Sequence, residues 1–114
     1  ICIFGCGGER DKGKRALMGE IASSFADNII ITNDNPRAED PRVISSEILK
    51  GIKDKSKTEV IYDRTIAIKT GLNKLKREEK RSVLLIAGKG HESFQEISGR
   101  FIKSNDYEIV RSLD

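Results

Sequence analysis

The chain has 114 residues, 37% of them apolar and 34% charged, with a net charge of +3, a composition that suits one globular domain with a real core and not a disordered tract. Lys and Arg stand against Asp and Glu at 10 to 9 over residues 1–57 and at 11 to 9 over the remainder, so there is no basic stripe, and with 5% aromatic residues nucleic-acid binding has little support. No apolar run approaches the ~18 residues of a membrane span and no signal peptide opens the chain, so the expected setting is cytoplasmic, away from membranes.

Ile1 to Phe4 is a continuous apolar run bounded by glycine, which predicts a strand buried on both faces. From Lys14, the residues Leu17, Met18, Ile21, Ala22 and Phe25 keep helical spacing and predict an amphipathic helix to about Ala26. Asn28 to Thr32 reads as a second buried strand. Ile44, Ile48, Leu49 and Ile52 mark the next helix, with Asp40 as its cap and Pro41 at its first position. Val60 to Tyr62 is a shorter third strand, and Ile68, Leu72 and Leu75 mark a helix interrupted only by Gly71. Ser82 to Ala87 is the most apolar strand. Gly99 to Lys103 is expected at a sheet edge, followed by a helix from Asn105.

Strands that alternate with helices need crossover connections, which are right-handed in nearly all cases. The predicted fold is therefore a doubly wound α/β domain, with a mostly parallel sheet and helices on both faces. Ligands of such sheets sit beyond the carboxyl ends of the strands. The chemically unusual loops all fall there: GCGGERDKGKR, TNDNPR, YDR and AGKGHE.

The first of these loops nearly spells a phosphate-binding loop, since Gly8, Gly13 and Lys14 fit G-x-x-x-x-G-K. Arg15 stands where Ser or Thr should hold magnesium, and Arg10 where a dinucleotide fingerprint needs glycine. A basic loop before a helix N-terminus still suits an anion. In AGKGHE, two glycines flank Lys89, with His91 and Glu92 beyond; His91 alone reads as a surface residue, and Glu92 suits an ammonium group. Asp63 and Lys89 resemble part of a receiver domain, but the acidic pair that such a domain needs after its first strand is missing. Cys2 and Cys6 read as small buried thiols, too few to build a zinc site with one histidine. No metal ligand and no catalytic residue is assigned.

Taken in order, FGCGGERDKGKRALMGEIA, TNDNPRAEDPRVI, YDRTIAI and LLIAGKGHESFQEI resemble the C-terminal domain of the Mur ligases, closest to the diaminopimelate-adding members. The resemblance covers essentially the whole chain. It implies a Rossmann-like domain, residues 1–114, cut from a three-domain ATP-dependent enzyme of peptidoglycan synthesis; the abrupt start at Ile1 suits such a piece. In that family, the glutamate γ-carboxylate of UDP-N-acetylmuramoyl-L-alanyl-D-glutamate is activated as an acyl phosphate and attacked by the incoming amine. ATP and Mg are held mainly by the central domain, so this domain alone should be inactive.

The resemblance further implies that Arg10, Asp34, Asn35, Arg37, Gly88 and Glu92 contact meso-diaminopimelate, with Pro36 setting the backbone between Asn35 and Arg37, and that Lys12 lies near the nucleotide phosphates. In that reading, Arg37 grips a carboxylate with paired bonds. Two departures from the family pattern, Glu9 for Asp and Ala16 for Pro, fall outside these positions. The competing reading is a free-standing, non-catalytic α/β module that binds an amino acid or nucleotide. An upstream G-T-x-G-K-[ST] motif in the reading frame would decide for the ligase.

Overall fold

The computed structural model describes residues 1–113. A four-stranded parallel sheet forms the centre, built from β1 (Cys2–Phe4), β2 (Ile29–Ile31), β3 (Thr58–Val60) and β4 (Leu85–Ile86) in the order β3-β2-β1-β4. The crossovers are α1 (Gly13–Phe25), α2 (Pro41–Leu49) and α3 (Arg64–Arg77). A hairpin of β5 (Phe94–Ile97) and β6 (Arg100–Lys103) follows, then α4 (Asp106–Ser112).

Two apolar clusters sandwich the sheet, because successive side chains of each strand point to opposite faces. Phe4, Ile29 and Ile31 pack with Ile44, Ile48 and Ile52 on the side of α1 and α2. Ile3 and Ile30 pack with Ala67 and Ile68 of α3 on the other, joined by Ile109 and Val110 of α4. Helices on both faces of a parallel sheet are the doubly wound arrangement. Asp40 caps α2 by accepting from the Arg42 N–H at 2.9 Å, with Pro41 following. Asp63 caps α3 through the Ile66 N–H at 3.0 Å, which gives this carboxylate a structural task.

Several expectations need correction. The third strand lies at Thr58–Val60, two residues earlier than predicted, because β2 pairs with it in the register Ile29↔Thr58. Ser82–Ala87 is an edge and not the heart of the sheet: β4 pairs only with β1, its regular part is two residues long, and Val83 and Leu85 are exposed. Gly99–Lys103 contributes β6 to a separate hairpin, while β5 opposite it carries too mixed a pattern to have been read as a strand. Helix α3 runs unbroken through Gly71, where a side chain would press on Ile3 and Leu84; glycine here lets the helix sit close to the sheet. Of the predicted α1 face, only Met18 and Ala22 join the core, whereas Leu17, Ile21 and Phe25 are exposed. Asp114, at the end of the last predicted helix, lies outside the described residues.

Candidate functional site

The loops after β1, β2 and β4 interlock at the carboxyl edge of the sheet. Gly5 and Gly8 are the contact points: a Cβ on Gly5 would overlap the Thr32 carbonyl oxygen, and one on Gly8 the Pro36 carbonyl oxygen. The Gly8 N–H donates to the Asn35 carbonyl at 2.8 Å. These two glycines therefore serve loop-to-loop packing, and they are not exposed to cradle a phosphate. Glu9 ties the same junction, its carboxylate accepting from the Ala38 N–H at 2.9 Å.

The turn from Asp34 to Arg37 is held from every side. Arg64, 2% exposed, donates to the Asn33 carbonyl at 3.0 Å and the Ala87 carbonyl at 3.3 Å, joining the loops after β2 and β4. Its remaining donors grip Asp106 at 2.7 and 2.8 Å, anchoring α4. The buried Gln95 amide donates to the carbonyls of Asn33 and Asp34 at 3.1 and 2.8 Å. Arg37 adopts φ +53°, a conformation uncommon for a side-chain-bearing residue. It is over-determined by its N–H on the Glu96 carbonyl at 2.8 Å and by the Ser98 N–H on its own carbonyl at 2.6 Å. Strain held this way is typical of residues whose placement matters to a ligand.

Arg37, Asn35 and Asp34 meet Lys89 and Glu92 at this edge. Arg37 Nη1 donates to the carbonyls of Gly8 and Asn35 at 2.9 and 3.3 Å, and Nε faces Glu96 at 3.5 Å. Nη2 makes no hydrogen bond to the described residues. Arg10 runs past Gly7 opposite Arg37 and is exposed. Pro36 is fully buried and shapes the turn between Asn35 and Arg37. Gly88 has φ +106°, and a side chain there would strike the Asp34 carboxylate. Asp34 and Glu92 both face the buried Lys89 ammonium, at 3.9 and 3.3 Å. Burial raises the Asp34 carboxyl above its ordinary value, and the Lys89 charge offsets part of that rise. Lys12 stands apart, exposed at the start of α1.

Sequence reasoning missed the residues that hold these groups in place. Arg64 stood only as part of the unusual YDR loop, and neither Gln95 nor Lys89 was given a role. Arg15 was counted as loop charge, yet it is fully buried, gripping Glu39 at 2.6 and 3.0 Å and reaching Glu47 and the Gly7 carbonyl. No spacing rule marks a buried arginine; only the carboxylates at 39 and 47 hinted at partners. Cys6 is buried, its thiol pushed up to about 11 by burial and packed on the Met18 sulfur at 3.4 Å.

Fold and site together define a doubly wound α/β domain with a cluster of charged side chains beyond its strand ends. Residues 1–90 match the model of the Mur ligase, glutamate ligase domain, and the chain belongs to that family. It is 56% identical over 109 residues to the UDP-N-acetylmuramoyl-L-alanyl-D-glutamate–2,6-diaminopimelate ligase of Rickettsia prowazekii (strain Madrid E), covering 96% of this chain and 22% of that protein. The ligase of the same name from Prochlorococcus marinus (strain NATL1A) is 51% identical over 97% of the chain and 21% of its own length. A solved structure of such a ligase superposes with a TM-score of 0.84 at 43% identity, over 97% of this chain and 22% of that one. The chain thus spans about a fifth of these relatives' length.

Proposed function

We propose that this domain receives the amino acid in an ATP-dependent cytoplasmic ligase that joins meso-diaminopimelate to UDP-N-acetylmuramoyl-L-alanyl-D-glutamate during peptidoglycan synthesis. The carrying observation is the rigid Asp34–Arg37 turn, which brings one guanidinium, one amide and one carboxylate to the strand ends, where the Glu92 carboxylate of the loop after β4 joins them. Relatives bearing the name of that ligase share more than half of the aligned residues, and no helix among the described residues is long and apolar enough to cross a membrane.

Diaminopimelate differs from lysine by a distal carboxylate. Arg37 Nη2 is placed to donate to that group, and Nε would join it if Glu96 turned aside, giving the planar two-bond grip that arginine provides. Asp34 and Glu92 provide the negative charge that suits an ammonium. Bound so, the amino acid is oriented for its free amine to attack the acyl phosphate formed elsewhere in the enzyme, an advantage of position. The glycine loop does not fit a magnesium or phosphate cradle, since Gly5 and Gly8 are packed shut and, among the described residues, no three His, Cys, Asp or Glu side chains could hold a metal. In this reading ATP and magnesium are held mainly by the central domain that the family resemblance implies, with Lys12 lending one charge to the nucleotide on closure.

The test is Arg37→Ala in the full-length enzyme. Truncating one partner of a buried, hydrogen-bonded charge pair costs roughly 2–5 kcal/mol, so kcat/KM for meso-diaminopimelate should fall about 30-fold to several thousandfold, while the poor value for lysine hardly moves. Arg37→Lys should not restore it. Equal small losses for both amino acids would reduce Arg37 to a turn residue.

A further inference from the structure

Lys89 is a deeply buried charge of the site, with a side chain 1% exposed. Its Nζ donates to Asn35 Oδ1 at 2.7 Å, and the same oxygen accepts the Glu96 N–H at 3.0 Å. Both partners are donors that cannot accept, so the amide cannot turn over without setting its NH2 against an N–H and an ammonium. Asn35 Nδ2 is thereby directed away from this junction, and it makes no hydrogen bond to the described residues. An amide locked this way shows a ligand only donors. The ammonium also lies 3.3 Å from the half-exposed Glu92 carboxylate, restraining it.

Building on the proposed amino-acid site, we propose that Lys89 is a positioning residue for substrate selection: it locks Asn35 with its N–H donors toward the ligand, so that Asn35 joins Arg37 in receiving a carboxylate and refuses an ammonium there. A lysine substrate leaves those donors unpaired, and unpaired buried polar groups reject a ligand strongly. Lys89 never touches the amino acid; it acts through Asn35.

The experiment uses the full-length enzyme with meso-diaminopimelate, ATP and the UDP-linked dipeptide, measuring KM and kcat alongside thermal stability. Lys89→Met should raise KM for meso-diaminopimelate about 10- to 100-fold, the value of a hydrogen bond to a charged group, with the effect falling on that KM and not on the KM for ATP. Asn35→Ala should raise it comparably, and adding Lys89→Met to Asn35→Ala should change it by less than about threefold, because groups that act through one another do not add. The near-isosteric Asn35→Asp keeps an oxygen for Lys89 and Glu96 but replaces the donors by an acceptor, and should raise the same KM without lowering the melting temperature comparably. Multiplying losses in the double variant would overturn the proposal, as would an unchanged KM in Asn35→Asp, which decides the matter even if Lys89→Met does not fold. A wild-type enzyme that makes no product from meso-diaminopimelate would instead sink the underlying reading of the site.

Discussion

The carboxyl edge of the sheet and the flank between α1 and β4 are built on opposite terms. At the edge, buried polar groups find partners: Arg64 satisfies two carbonyls and Asp106, Gln95 two more carbonyls, and Lys89 joins Asn35 to Glu92. At the flank, Phe25, Ile21, Val83 and Leu85 surround an open groove of about 430 Å3 with almost no polar lining. Polar partners demand distance and angle, so the edge has one arrangement; apolar contact is non-directional, and the flank can change without disturbing the rest. Substitutions should therefore be costly at the edge and mild at the flank.

The largest effect is expected from Gly8→Ala, which drives a methyl group into the Pro36 carbonyl where two backbones meet. A loss above about 4 kcal/mol, on the scale of a domain's whole stability, should appear in urea denaturation of the 114-residue chain. Near-wild-type stability would mean that the loops part easily and the edge is not rigid. Next is Arg64→Met, which strands Asp106 and two carbonyls; breaking a buried ion pair costs about 3–5 kcal/mol, and amide exchange should quicken in both loops at once. Exchange confined to α4 would separate the loops from the anchor.

A pH effect sharpens the comparison within the edge. The Arg15 guanidinium holds the Glu39 carboxyl down to about 2 from its ordinary 4.5. The folded state therefore binds this proton less readily than the unfolded chain, so the stabilisation is present above pH 4.5 and is lost as the pH falls toward 2. Glu39→Gln should flatten that part of the stability–pH curve, and an unchanged slope would assign the acid sensitivity to other groups. The smallest effect is expected from Phe25→Ser at the flank, where Phe25 is 87% exposed: stability in urea denaturation should shift by no more than about 0.5 kcal/mol. A loss of several kcal/mol would place Phe25 in the core after all.

How far residue patterns reached depended on whether the controlling interaction was local. The order of the parallel strands and of the helices, the Asp40 cap and the clustering of the odd loops at one sheet edge followed from runs, spacings and turn residues, because periodicity and capping act within a few positions along the chain, whereas β5 did not. The motifs also named most of the residues that converge at the site. They did not show that Gly5 and Gly8 face other loops and not a phosphate, nor that the apolar run after Ser82 lies at an edge.

Tertiary structure alone decided these points, along with the work of Arg15, Arg64, Lys89 and Gln95. Each of the four is buried through partners distant in sequence, 24 residues away for Arg15 and Glu39 and 54 for Lys89 and Asn35. An isolated charged residue carries no sign of whether water or a carboxylate will meet it. Only the fold brings the carboxylate or carbonyl that makes burying the charge tolerable, and so only the fold reveals which charges hold the site in shape.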